Sequence, residues 1–262
     1  MSGIVHFQPA GSDGIAHVVL DNPGKLNAID IAMWRALRRG FDALQALPAH
    51  TAPRAVIVAG AGGNFASGGD IVEFASFRFD AEPLRDFHEH TVAPALHAML
   101  ACDIPLFAQI DGACIGGGFE IAACCDIRVA GASSRFGAPI AKLGFPMAPG
   151  ELELLARIAA PAVLREMLLE ARLFDAARAL QLGIVHAVVA DAELAAGTLQ
   201  RARAAAALAP QAARINKRTL RQLAAGGPDP AERLAHFDYA AGAEHREGVT
   251  AFIEKRAARF RP

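Results

Sequence analysis

The sequence predicts an α/β fold with a parallel sheet, followed by a small all-helical region. Two observations carry this expectation. Over residues 1–190, short apolar runs alternate with longer stretches of helical periodicity, the pattern of strands joined by crossover helices. From about Asp191 onward helical patterns follow one another and no strand-like run appears. The chain is therefore divided into an α/β body, 1–190, and a helical C-terminal region, 191–262.

The elements follow in order. Residues 15–20, Ile-Ala-His-Val-Val-Leu, alternate like a half-buried strand. Asp30 stands before a helical pattern over 31–47, with Pro48 just beyond it, the cap and stop expected of a helix. Residues 55–59, Ala-Val-Ile-Val-Ala, form a wholly apolar run suited to a buried strand. A helix over 83–100 precedes an apolar strand over 104–110. After that strand comes Gly116-Gly117-Gly118-Phe119-Glu120, leading into the apolar start of another helix. Residues 127–129 and 185–189 read as further short strands. In the last quarter, helices are expected over 192–208, 210–224, 231–241 and 246–259, broken by Gly226-Gly227-Pro228-Asp229-Pro230.

Composition narrows the function classes. The 262 residues are 53% hydrophobic and 20% charged, enough for a substantial core. A net charge of −1 offers nothing to a nucleic-acid backbone. No apolar run is long enough to span a membrane, and the first residues lack the basic-then-apolar order of a signal peptide. The four cysteines are Cys102, Cys114, Cys124 and Cys125. The adjacent pair in an apolar helix reads as core packing in a reducing cytoplasm.

The chemistry concentrates in the glycine segments. Three successive glycines let a ligand approach the backbone closely, and the first turn of a helix offers unpaired N–H groups with partial positive charge. Such a turn holds an anion, or an oxygen that becomes one during reaction. Glu120, three residues after Gly117, projects near the same side of that turn and can serve as acid or base. The plainer alternative is a glycine-rich connection with a solvated glutamate at a helix start.

A second glycine segment, Gly60 to Asp70, follows the strand over 55–59. Its end, Phe65-Ala66-Ser67-Gly68-Gly69-Asp70, and Ile115-Gly116-Gly117-Gly118-Phe119-Glu120 together resemble the two oxyanion-hole motifs of the crotonase, or enoyl-CoA hydratase/isomerase, superfamily. The resemblance extends along the chain. Asn22-Pro23-Gly24-Lys25-Leu26-Asn27-Ala28 is similar to the family's first CoA-binding loop. Residues 125–130 resemble the strand after its catalytic helix, and 176–185 its helix-to-strand element. Arg246-Glu247-Gly248 with 251–256 resembles its C-terminal signature.

The resemblance implies a spiral of repeated β-β-α units with a C-terminal helical oligomerisation region, assembling as a homotrimer or a dimer of trimers. It implies an acyl-CoA thioester as substrate, with no separate cofactor, metal, nucleic-acid or membrane partner. Position by position, it implies that the Gly69 and Gly117 N–H groups hold the thioester oxygen and that Glu120 is a catalytic glutamate. Many relatives carry alanine where this chain has Gly69; the donor is backbone, so little effect is expected. Lys25, Asn27, Ala28, Ala66, Gly68, Asp70, Ile71, Gly116 and Ile140 fall in its substrate or CoA segments. Phe252 and Lys255 match residues that reach the nucleotide from a neighbouring subunit. Asp70 is expected mainly to tie down its own loop.

One departure stands out. Hydratases place a second glutamate after the proline of Phe-Gly-x-Pro; here Phe136-Gly137-Ala138-Pro139 is followed by Ile140. Isoleucine neither holds a water nor moves a proton. Family isomerases usually keep an acid there as well. Hydration of a 2-enoyl-CoA to a 3-hydroxyacyl-CoA with one family glutamate is the leading expectation; isomerisation or decarboxylation, and a silent acyl-CoA-binding protein, are the alternatives. Glu73, Glu151, Glu153, His88, His90 and Tyr239 are candidates to replace the acid, each set against an ordinary surface or core role.

Other chemistries find less support. Gly60-Ala61-Gly62 after a strand lacks the third glycine and the ribose-binding acid of a dinucleotide loop. Gly131-Ala132-Ser133-Ser134-Arg135 lacks the closing glycine of a nucleophile elbow. His88, His90 and His97 form no metal-ligand spacing.

Overall fold

The computed structural model describes residues 2–260. Strand β1 (Ile4–Gln8) pairs antiparallel with β2 (Ile15–Asp21). Helix α1 (Ile31–Ala46) starts at Asp30, whose side chain accepts from the Met33 N–H. Its buried face is Met33, Trp34, Leu37 and Phe41, the three- and four-residue spacing of an amphipathic helix. Strand β3 (Ala55–Gly60) follows, then the short helix α2 (Ile71–Phe74).

The helix expected over 83–100 is longer and interrupted. It runs as α3 (Ala81–Phe87), a π-helical turn over His88–Val92, and α4 (Ala93–Ala101). Such a wide turn admits an extra residue and often marks a functional site.

Strand β4 (Leu106–Ile110) leads through β5 (Ala113–Ile115) into α5 (Gly117–Ala123). Strands β6 (Ile127–Gly131) and β7 (Arg135–Gly137) repeat that step. Then come α6 (Pro149–Leu155), α7 (Pro161–Leu169), β8 (Phe174–Asp175), α8 (Ala176–Gln181) and β9 (Ala187–Val189). The three-residue strands β5 and β7 and the two-residue β8 are too short to leave a periodic trace in the sequence.

Among the described residues six strands form one sheet in the order β1-β2-β3-β4-β6-β9, parallel from β2 onward. A second sheet has the order β5-β7-β8. The consecutive pairs β4/β5 and β6/β7 each give one strand to either sheet, so the chain advances as a spiral of β-β-α steps. The strand β3, reading Ala-Val-Ile-Val, is buried on both faces, as parallel central strands are.

The last segment is helical: α9 (Leu194–Ala206), α10 (Pro210–Ala224), α11 (Pro230–Ala235) and α12 (Ala243–Ile253). Helix α9 lies against β3, β4 and β6, and its Ala202 and Ala206 close a small apolar cluster with Ile15, Ile57 and Phe107. The helix expected over 231–241 continues past α11 as a 3-10 helix, His236–Ala241. The one expected over 246–259 begins earlier and stops at Ile253; Lys255 has φ of 56°, which ends the helical run.

Candidate active site

Two glycine segments are drawn together by strand pairing. The Ala66 N–H donates to the Ala113 carbonyl at 2.8 Å, and the Ile115 N–H donates to the Ala66 carbonyl at 3.0 Å. Gly68 and Gly116 then lie side by side: a Cβ added to Gly116 would make van der Waals contact with the Gly68 Cα, at 3.6 Å. Gly116 has φ of 50° and ψ of −120°, a conformation open to glycine alone. It turns the chain from β5 into α5 and leaves the Gly117 N–H at the start of the helix. Among the described residues neither the Gly69 nor the Gly117 N–H donates to a protein acceptor.

The first loop is braced from behind. Leu26 and Asn27 have φ of 49° and 56°, a region costly for leucine. Neighbours hold them there. The Asn27 side chain donates to the Ala61 and Asn64 carbonyls, both at 2.8 Å, and accepts from the Asn22 N–H. Lys25 Nζ donates to Asp70 Oδ2 at 2.5 Å, and the Ser67 N–H donates to the Leu26 carbonyl. Asp70 also accepts from the Val72 N–H, so it ties its own loop as expected. This ion pair raises the Lys25 pKa, the Asp70 hydrogen bond being the chief cause.

Both glycine pairs line a cavity of about 320 Å³. Trp34, Ile71, Phe74, Phe87, Val92, Phe145 and Met147 give it apolar walls, with Ile140 and Leu143 on another side. Its polar groups are Glu120, Glu151, His88, Arg78, Lys142 and Ser67. A larger recess of about 1200 Å³, between α10, α11 and the turns at 10–14 and 49–54, contains none of the glycine segments.

Glu120 sits in the first turn of α5 and is buried, 6% exposed. Burial pushes its carboxyl well above the usual 4.5; the Glu151 carboxylate adds to the rise and Arg78 opposes it. Glu151 is equally buried, in the first turn of α6. His88 Nδ1 lies 2.6 Å from Glu151 Oε1. His88 and Val92, at the two ends of the π-helical turn, line the cavity with Phe87, the last residue of α3.

The remaining candidates separate clearly. Glu73 turns away and accepts from the Ile31 N–H at 2.8 Å, at the start of α1. Glu153 is exposed: two residues after Glu151, it points to the opposite face of α6. His90 is exposed, and Tyr239 packs edge-on against His236 and His245, away from the cavity. Ala28 and Ala66 are buried and do not line it. Phe252 and Lys255 lie outside it on exposed surface, Phe252 at 85% exposure.

Gly69 has a packing reason that its backbone role hides. A Cβ there would meet Phe74 Cζ at 2.7 Å, so glycine makes room for the Phe74 ring. Sequence reasoning also passed over Arg78. It lies in the turn after α2, its N–H donating to the Phe74 carbonyl at 2.9 Å, where no periodicity marks it.

The comparisons agree with this architecture. A family model described as enoyl-CoA hydratase/isomerase matches residues 10–262. A "Probable enoyl-CoA hydratase" of Rhizobium meliloti is 33% identical over 93% of each chain. The mevalonyl-coenzyme A hydratase of Aspergillus fumigatus is 29% identical over 94% of this chain and 90% of its own. The crystal structure of an enoyl-CoA hydratase/carnithine racemase from Magnetospirillum magneticum superposes with a TM-score of 0.92 at 36% identity, covering 98% of this chain and 95% of that one.

Proposed function

The chain belongs to the enoyl-CoA hydratase/isomerase family, and from that membership we propose that it hydrates a 2-enoyl-CoA to the 3-hydroxyacyl-CoA. The observation that carries the reading is the pair Glu120 and Glu151, both buried and both facing the cavity of the two glycine N–H groups. Glu151 thus supplies from α6 the second carboxylate that Ile140 withholds.

The thioester oxygen sits between the Gly69 and Gly117 N–H groups. Negative charge grows on that oxygen as water attacks C3, and each donor lost there costs about 3–4 kcal/mol. Water forms the new C–O bond, and its proton passes to Glu151, which His88 holds in place. Glu120 gives its proton to C2. Two carboxyls whose surroundings differ can divide acid and base work in this way. A proton then returns from Glu151 to Glu120, directly or through water, and the cycle closes. Lys25 contributes positive charge beside the CoA phosphates. Phe252 and Lys255 reach the nucleotide from a neighbouring subunit of a trimer or a dimer of trimers.

The test is a panel of saturated and unsaturated acyl-CoAs, analysed by mass for water gain, loss of carbon dioxide and deuterium exchange at the α-carbon. The expected result is water gain on crotonyl-CoA, reduced about a hundredfold or more by Glu151→Gln and unchanged by Glu153→Gln. Exchange at the α-carbon without water gain would replace hydration by isomerisation. Full hydration by the Glu151→Gln variant would remove Glu151 from the mechanism.

A further inference from the structure

Arg78 lines the same cavity, and hydration of a neutral enoyl chain gives it nothing to do. Its guanidinium carbon lies 3.8 Å from the centre of the Phe74 ring and 4.1 Å from that of Phe145. The two rings meet edge to face with centres 6.2 Å apart, so the guanidinium nests in an aromatic corner. Cation–π contact favours the charge there but leaves the N–H groups unanswered. The Arg78 Nε is buried with no hydrogen-bond partner among the described residues. A buried donor left so is costly, and a guanidinium matches a carboxylate with two parallel hydrogen bonds.

The cavity's own carboxyls do not meet this need. Glu151 is engaged by His88 at 2.6 Å. Burial favours the neutral form of Glu120. Lys142 adds a second cation to the lining. With Glu120 neutral, the two cations Arg78 and Lys142 outnumber the one remaining carboxylate of the lining, Glu151.

We propose that the acyl group brings a second carboxylate: the substrate is the mono-CoA thioester of a short dicarboxylic acid, and Arg78 binds its free carboxylate. Short follows from the packing. The tip of the Phe74 ring lies against Gly69 and a face of the same ring carries Arg78, so one aromatic ring touches both the oxyanion donor and the guanidinium. The inference rests on reading the cavity as the thioester site.

The experiment is calorimetric binding of glutaryl-CoA, pentanoyl-CoA and free CoA to the wild type, Arg78→Met and Arg78→Lys, with thermal melts to confirm folding. Saturated thioesters separate recognition from chemistry. The wild type is expected to bind glutaryl-CoA roughly ten- to a hundredfold more tightly than pentanoyl-CoA, the worth of a hydrogen-bonded charge. Arg78→Met should bring that ratio to about one, and Arg78→Lys, which lacks the planar fork, should leave only part of it. Equal wild-type affinities for the two thioesters overturn the proposal without the native protein being altered. If Arg78→Met weakens free CoA as much as glutaryl-CoA, Arg78 serves the CoA phosphates and the proposal also fails. If no thioester binds at all, the reading of the cavity itself falls, an outcome distinct from the other two.

Discussion

In the mechanism proposed above, Glu120 couples catalysis to stability. Its folded-state pKa lies above its unfolded value because burial penalises the charge, with the Glu151 carboxylate adding to the effect. The folded protein then binds more protons than the unfolded chain between the two values. Stability therefore falls as pH rises from about 4.5 toward the raised value, and below 4.5 the group costs nothing. Glu120→Gln keeps the shape and removes the titration. The variant's Tm should gain on the wild type as pH rises from 4.5, the difference vanishing at lower pH, while turnover falls about a hundredfold or more. A Tm difference flat in pH would mean that Glu120 titrates like a surface carboxyl. A residue that improves the fold when removed and cripples the reaction is one whose burial serves chemistry.

Between elements, the decisive contact is where α5 passes the first glycine loop. A Cβ on Gly118 would fall 2.4 Å from the Ala66 carbonyl oxygen, a backbone atom paired to β5. Gly118→Ala must push the two loops apart. The expected cost is about 1–3 kcal/mol, a fall in Tm of roughly 3–10 °C, with loss of activity because both proposed oxyanion donors hang on that pairing. Gly197→Ala gives the opposite sign. Gly197 lies inside α9, where a Cβ would make only ordinary contact with Val189 at 3.7 Å, and alanine should stabilise the helix by up to about 1 kcal/mol. Differential scanning calorimetry of both variants separates close packing from helix propensity; a rise in Tm for both would mean the loops are free to part. The placement of each glycine segment and of Glu120 was legible in the sequence because it is local: loop, turn and first helical turn lie side by side in the chain, and the resemblance to the family paired the two segments. Glu151 was one of several equal candidates, because its approach to Glu120 depends on α6 packing against α5. Arg78 and the π-helical turn at His88 were not legible. The turn changes helical phase by one residue, which no periodicity count over 83–100 detects, and the free edge of Arg78 appears only once the Phe74 and Phe145 rings are assembled.

Across the whole molecule, α9 packs on the body through apolar contacts, whereas α10 is held to it by polar ones, and the helices from α10 onward leave apolar groups outward. On α10, Arg218 and Arg221 both donate to Asp103, and Lys217 pairs with Asp126 at 2.7 Å. Leu220, Leu223, Leu234, Phe237, Phe252 and Ile253 are all exposed, an excess of large apolar side chains on one region's surface that suits an interaction site. Self-association through this region is the expected state, with a solution mass three or six times that of the monomer. Asp103 supplies the control. Burial alone would raise its pKa, but hydrogen bonds from Arg218 and Arg221 outweigh this and lower it below 3.8. Its folded value is thus below its unfolded one. The stabilisation it gives is present above about pH 3.8 and is lost as pH falls through the lowered value. Asp103→Asn removes that titration and weakens the anchor of α10 at every pH. Light scattering should then show the wild type assembled at neutral pH and dissociating only in acid, and Asp103→Asn partly dissociated already at neutral pH. Circular dichroism on the same samples should show the helices retained. A wild type that is monomeric at neutral pH and micromolar concentration would refute the assembly, and with it the contribution of Phe252 and Lys255 to a neighbour's site.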